Sequence, residues 1–100
     1  MRYDERYEDQ FMKLEEAEQM TLGFLLLNPE RLTRVKAFLK PQDFRYDKHR
    51  LIFEAMLEIE QQNIHLDLVT LFEVLDEGGQ LDSVGRASYL TYLCEIAGES

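Results

Sequence analysis

Two histidines, one cysteine and 20 acidic side chains are the groups in this 100-residue chain that could carry chemistry. His49 and His65 lie far apart, and neither belongs to an H-E-x-x-H or Cys/His cluster of the kind that holds zinc. His49 falls in the first turn of a predicted helix and reads as a solvent-facing polar residue. Cys94 has no base beside it and sits late in a predicted helix, so it reads as a buried, inert thiol. A pair of carboxylates could share acid and base roles, but the acids here fall mostly on the water-facing strips of helices. Gly78-Gly79 is followed by Gln-Leu-Asp, with no lysine to reach a phosphate, and reads as a helix stop. The chain has neither G-x-x-x-x-G-K-[ST] nor G-x-G-x-x-G. The expectation is a chain without an active site, a metal or a cofactor of its own.

Binding chemistry is the remaining possibility. A DNA-reading helix offers Arg, Lys, Asn or Gln to base edges. The last predicted helix offers Arg86, Ser88, Tyr89, Thr91 and Tyr92 after a glycine turn, in a chain of formal charge −9. That charge repels phosphate, so direct nucleic-acid binding is not expected. Tyrosine is a side chain that protein interfaces favour. Tyr3, Tyr7, Tyr46, Tyr89 and Tyr92 are more tyrosine than one small core needs.

The elements that must position these groups are helical. Asp47 to Gln62 steps Leu51, Ile52, Phe53, Ala55, Met56, Leu57 and Ile59 around well over half the circumference of a helix turning at about 100° per residue. Arg50, Glu54, Glu58 and Gln61 share the strip that is left. Such a helix needs neighbours on several sides, so it predicts the centre of the domain, capped by Asp47 and closed by a left-handed Asn63. Before it, 14–27 forms a helix with Ala17, Met20, Thr21, Phe24, Leu25 and Leu27 inward and Glu15, Glu16, Glu18 and Gln19 outward. Gly23 inside it marks a close approach by another helix. Asn28-Pro29 ends that helix and opens a second over 29–39, with Leu32, Val35, Phe38 and Leu39 inward. Phe44, after a turn at Pro41, plugs back into the core. Beyond the centre, Asp67 caps a helix over 68–76 with Leu68, Leu71, Phe72 and Leu75 inward. A last helix, from Ser83 or Gly85 to Ala97, carries the stripe Tyr89, Leu90, Leu93 and Ile96. Residues 1–13 are a charged extension in which Tyr3, Tyr7, Phe11 and Leu14 share a helical face, 14–98 are the domain, and 99–100 a tail. No period-2 strand and no internal repeat is present.

Length and composition agree with one globular domain. The charged first residues lack an apolar signal core, and no run reaches the roughly 18 residues of a membrane span. The lone cysteine suits a reducing compartment, so a cytoplasmic protein away from membranes is expected.

Several ordered motifs point to a family. Glu16-Ala-Glu-Gln19, Leu22-Gly23 and Leu25-Leu-Leu27 resemble the first helix of the N-terminal domain of bacterial replicative helicases, the DnaB family. Asp43-Phe44, His49-Arg-x-Ile-Phe-x-Ala-Met56, Asp67-Leu-Val-Thr-Leu71, Gly79-x-Leu-x-x-Val-Gly85 and Tyr89-Leu90 follow in that family's order and spacing. The likeness covers residues 15–97. The chain departs from the family in having Gly85-Arg86 where two glycines are common, and in lacking a proline-rich lead-in. It also stops before the helical hairpin through which much of the family's pairing runs.

The resemblance implies an all-α fold, a compact orthogonal bundle of about five to six short helices around a central helix. It implies a non-catalytic head, with ATP and Mg confined to a motor domain outside these residues. Six copies would form a collar, arranged as a trimer of dimers, that docks the helicase-binding domain of primase. Sister helicase subunits and a helicase loader are the further partners implied. By the same carry-over the helix bearing Tyr89 faces primase, with Leu90 and Leu93 as packing support. Two other readings stand beside it: a small acidic adaptor complete in itself, and the helicase-binding domain of a primase.

Overall fold

The computed structural model describes the backbone of residues 5–99 and the side chains of 14–99. Among these residues it is helical throughout, with no strand. The helices are α1 (Glu5–Leu27), α2 (Leu32–Val35), α3 (Asp47–Gln61), α4 (Leu68–Glu77) and α5 (Arg86–Gly98). Short 3-10 turns at Pro29–Arg31, Pro41–Asp43 and Asp82–Val84 join them. Glu5 to Leu27 is one unbroken helix, so the segment 5–13 continues the first helix of the domain. The side chains of the expected Tyr3/Tyr7/Phe11 face lie outside the described residues.

α3 is the hub that its apolar sequence predicts. Ile52, Phe53, Ala55, Met56 and Ile59 are buried, and α1, α2, α4 and two of the 3-10 turns pack around it. Phe44 enters the core as expected, its ring centroid 5.1 Å from that of Phe53. The most extensive helix pairing is that of α1 with α5. Gly23 explains it. A Cβ there would stand 2.1 Å from the Leu93 carbonyl oxygen and 2.8 Å from the Ala97 Cβ. Only a hydrogen at that position lets the two backbones approach so closely.

The buried face of α1 differs from the expected one. Leu22, Leu25 and Leu26 are buried, but Ala17, Phe24 and Leu27 are exposed. Glu18 and Gln19, expected in water, are 6% and 8% exposed. The true arc is Glu18, Gln19, Leu22, Leu25 and Leu26, a regular i, i+4, i+7, i+8 stripe whose first positions are polar. An apolar-only count rotated the face toward Phe24 and Leu27.

The second helix is shorter than expected. α2 ends at Val35, and Ala37 and Phe38 donate backbone hydrogen bonds three residues back, to Arg34 and Val35. The turn swings Phe38 outward, to 74% exposure, instead of into the core. Asn28 does not cap it by its side chain. Its amide turns back and donates to the Phe24 carbonyl at 3.0 Å, closing the end of α1. Asp47 is the first helical residue of α3 and Tyr46 the cap; the Asp47 carboxylate pairs with Arg50 at 3.2 Å.

Other terminal signals act as read. Asn63 adopts φ 62°, and Asp67 accepts the Thr70 backbone N–H at 2.9 Å, which also holds the Asp67 carboxyl below its ordinary pKa. Phe72, expected inward, lies at the rim of a cleft of about 210 Å³ between α4 and α5, lined also by Leu68, Val69, Ala87, Leu90 and Thr91. No helix among the described residues is long and apolar enough to cross a membrane.

Candidate functional site

The site is a line of polar side chains buried where α1, α3 and α5 meet. Helix α1 supplies Glu18 and Gln19 from consecutive positions of its inward arc. Helix α3 supplies His49 from its first turn, and α5 supplies Tyr89 from its first turn. Gly85 and Arg86, both at positive φ (97° and 64°), swing the chain into α5 and set where Tyr89 starts. A Cβ on Gly85 would come 2.9 Å from the Tyr89 Cβ.

His49 is fully buried, which overturns the expectation of a solvent-facing residue. Its ring packs edge-on against Phe44 and Tyr46 and lies nearly parallel to Tyr89, at a centroid distance of 6.0 Å. Nδ1 is 2.7 Å from Glu18 Oε1, and Nε2 is 2.6 Å from the Tyr89 hydroxyl. Gln19 Nε2 donates to that hydroxyl at 3.1 Å. Glu18 does more than meet the histidine. Its Oε2 accepts the Arg45 backbone N–H at 2.6 Å and its Oε1 the Tyr46 N–H at 3.4 Å. A carboxylate from α1 thus caps the entrance to α3 and sits favourably at the positive end of that helix.

Burial disfavours charge on the imidazole and holds the His49 pKa below its ordinary value of 6.5, against the opposing pull of Glu18. The folded chain therefore carries His49 neutral. Every buried side-chain nitrogen and oxygen among the described residues has a hydrogen-bond partner. Such a network fixes one relative arrangement of three helices, because leaving any member unpaired costs about 1–3 kcal/mol.

Tyr89 is half-buried, and its surroundings carry the network to the surface. Lys48 Nζ lies 4.4 Å above the ring centroid and 3.3 Å from Glu15 Oε1. Burial works against the Lys48 ammonium, but Tyr89 and Glu15 together hold its pKa above the ordinary value. Tyr92, 44% exposed, lies 6.2 Å from Tyr89, ring to ring. Glu15, Lys48, Tyr89 and Tyr92 thus form one aromatic and charged surface contributed by three helices.

Of the residues singled out in sequence, Tyr89 belongs to this surface, while Leu90 and Leu93 are buried beneath it. Cys94 is half-buried, less covered than expected, and burial raises its pKa, which keeps it the protonated thiol. His65 is exposed and takes no part. Sequence reasoning missed Glu18, Gln19 and His49. The first two lie one turn before Leu22 on its own stripe, and extending that stripe would have found them.

The arrangement superficially resembles a catalytic relay, since a carboxylate orients an imidazole that meets a hydroxyl. The hydroxyl, however, is spoken for by Gln19 as well. Among the described residues no group of three or more His, Cys, Asp or Glu is placed to hold a metal ion. What the geometry does is hold a tyrosine still.

Comparison with known proteins matches the family model of the DnaB-like helicase N-terminal domain to residues 11–100. The replicative DNA helicase DnaB of Buchnera aphidicola subsp. Acyrthosiphon pisum is 44% identical over 78 residues, covering 78% of this chain and 17% of that protein. The DnaB of Geobacillus stearothermophilus is 39% identical over 80 residues, covering 80% of this chain and 18% of that protein. The crystal structure of the N-terminal domain of DnaB helicase from Mycobacterium tuberculosis superposes with a TM-score of 0.76 at 34% identity, covering 79% of this chain and 55% of that one. The chain spans less than a fifth of the length of these two curated relatives.

Proposed function

The chain belongs to the DnaB-like helicase N-terminal domain family, and from that premise we propose that it serves as the docking head of an ATP-dependent replicative DNA helicase. In this reading the head sits in a collar of sister subunits, and the surface around Tyr89 receives the helicase-binding domain of primase. A helicase loader would be a further visitor to the collar, and neither DNA nor a membrane is a partner of these residues. The whole protein is a replication protein of the cytoplasm.

One observation carries the choice of surface. Tyr89 and Tyr92 lie beside each other at the water boundary with Lys48 and Glu15 around them, and a buried network fixes the Tyr89 ring. A tyrosine held in place beside a second, exposed one and rimmed by charge suits a binding hot spot, since the held ring loses little side-chain entropy on docking. Leu90 and Leu93, fully buried, act only by packing α5 in place.

The test is calorimetric titration of the chain with the C-terminal domain of the primase from the same organism. Tyr92→Ala removes exposed surface without touching the network, and Tyr89→Ala removes both. Each should weaken binding at least tenfold, which corresponds to about 1.4 kcal/mol. Isolated heads bind more weakly than a collar presenting several copies, so the titration is run at high concentration. Wild-type chain that fails to bind, or variants that bind as well as wild type, would overturn the reading.

A further inference from the structure

We propose that His49 is the positioning residue of Tyr89: Glu18 fixes it as the neutral Nδ1–H tautomer, Nε2 accepts the Tyr89 hydroxyl, and proton uptake at Nε2 unhooks α5. The inference rests on the docking role of Tyr89 for its biological meaning, but not for its chemistry.

The tautomer follows from which atoms can donate. An ionised carboxylate only accepts, so the 2.7 Å contact with Glu18 Oε1 requires a hydrogen on Nδ1. A neutral imidazole has one N–H, which leaves Nε2 bare. The Tyr89 hydroxyl, 2.6 Å away, must then donate to it. Its oxygen is left free to accept from Gln19 at 3.1 Å. The bonds run one way, from Gln19 through Tyr89 and His49 to Glu18, and each donor has its acceptor.

An added proton breaks this order. Nε2–H would donate to the Tyr89 oxygen, where Gln19 already donates. The Tyr89 hydroxyl hydrogen would lose its acceptor, and regaining one means flipping the Gln19 amide or swinging the hydroxyl out toward water. Lys48, which covers the ring, has only donors. From α1 the groups facing the imidazole are Glu18 and, farther off, Glu15; from α3, Lys48; from the preceding loop, Tyr46; from α5, Tyr89 with Tyr92 behind it. The two carboxylates favour the imidazolium and Lys48 opposes it, but burial outweighs them and keeps the ring neutral. The unfolded chain takes up the proton near 6.5, while the folded chain takes it up only at lower pH. The stability that the neutral ring supplies is therefore complete above 6.5 and is lost as pH falls below it toward the folded-state value.

The test uses the 100-residue chain with ¹⁵N-labelled histidine, followed from about pH 8 to about pH 5, the range in which imidazole charges. His49→Gln identifies the His49 signals, since only His65 remains. At neutral pH the ring nitrogens should report the Nδ1–H tautomer. Tyr89→Phe, which keeps the ring and deletes the donor, should move the Nε2 resonance and leave the tautomer unchanged. Amide exchange around Tyr89, corrected for its intrinsic pH dependence, should accelerate by up to about tenfold per pH unit as pH falls from 6.5 toward the value at which the folded imidazole charges. An Nε2–H tautomer or an imidazolium at neutral pH would overturn the proposal, as would α5 exchange that ignores the titration. If either variant misfolds, the wild-type tautomer and exchange profile still decide. Primase is absent from every arm. An intact tautomer without docking removes only the docking surface, and docking with the wrong tautomer removes only the positioning role.

Discussion

Replacing Glu18 with glutamine exchanges one acceptor oxygen for an amine and leaves the size of the side chain nearly unchanged. In the native structure the carboxylate serves three donors: the Arg45 N–H at 2.6 Å, the His49 Nδ1–H at 2.7 Å and the Tyr46 N–H at 3.4 Å. An amide can serve them in two ways, and both bring donor against donor. With its oxygen toward His49, the amine meets the Arg45 N–H. With its oxygen toward Arg45, the amine faces Nδ1, and the imidazole can shed that hydrogen and become the Nε2–H tautomer. The second way keeps the short Arg45 bond but strands the weaker Tyr46 contact and takes from the Tyr89 hydroxyl hydrogen its acceptor on Nε2, and it is the expected outcome. A hydrogen bond to a charged group is worth about 1.5–3 kcal/mol, and a stranded buried donor costs about 1–3 kcal/mol. The expected loss is ~3 kcal/mol, a large share of the ~5–15 kcal/mol that holds a domain folded. Urea unfolding should show a lower midpoint with an unchanged slope, and melting should fall by about 10–20 °C. The ring nitrogens of His49 should report the switched tautomer. Glu16→Gln, exposed two residues earlier on the opposite face of α1, is the control and should stay within about 0.5 kcal/mol of wild type. A Glu18→Gln chain as stable as that control, with its tautomer unchanged, would refute the account of the network.

Two backbone positions give further tests. Arg86 holds φ 64°, a conformation costing a non-glycine residue about 1–2 kcal/mol. Arg86→Gly should relieve it, less the ~0.2–1 kcal/mol of its exposed ion pair with Asp82. A net gain of about 0.5–1 kcal/mol in urea is expected, whereas Arg86→Ala loses the pair and keeps the strain. Glycine no better than alanine there would contradict the assigned conformation. Gly23→Ala should destabilise by about 2 kcal/mol or more despite its better helix propensity, because the added methyl meets the Leu93 carbonyl. A neutral result would mean that α1 and α5 lie farther apart.

The hub was legible because its apolar residues exceed any single face: Leu51 and Ala55 flank the Ile52, Met56 and Ile59 stripe on one side and Phe53 and Leu57 on the other, so only neighbours on several sides cover them all. Gly23, Asn63 and Asp67 were legible because each answers a local constraint: close approach, positive φ and an orphan N–H. The departure of Gly85-Arg86 from two glycines was also visible in sequence, and the structure gives it a physical meaning in the strained φ of Arg86. The network was not legible for a different reason. A glutamate or histidine on a helix normally belongs in water, and only partners distant in sequence reverse that preference. Glu18, His49 and Tyr89 come from three separate helices, and pattern within one helix cannot reveal that they meet. Phe38 was misjudged because helical periodicity was extended past a turn that ends α2 three residues earlier.

The docking role of the surface that this network supports is tested most directly by residue-resolved mapping. Amide shifts of the ¹⁵N-labelled chain are followed while the C-terminal domain of the cognate primase is added. The account predicts perturbations gathered on Glu15, Lys48, Tyr89 and Tyr92, with α4 quiet. Perturbations centred on the α4 face, or none at saturating primase domain, would contradict it.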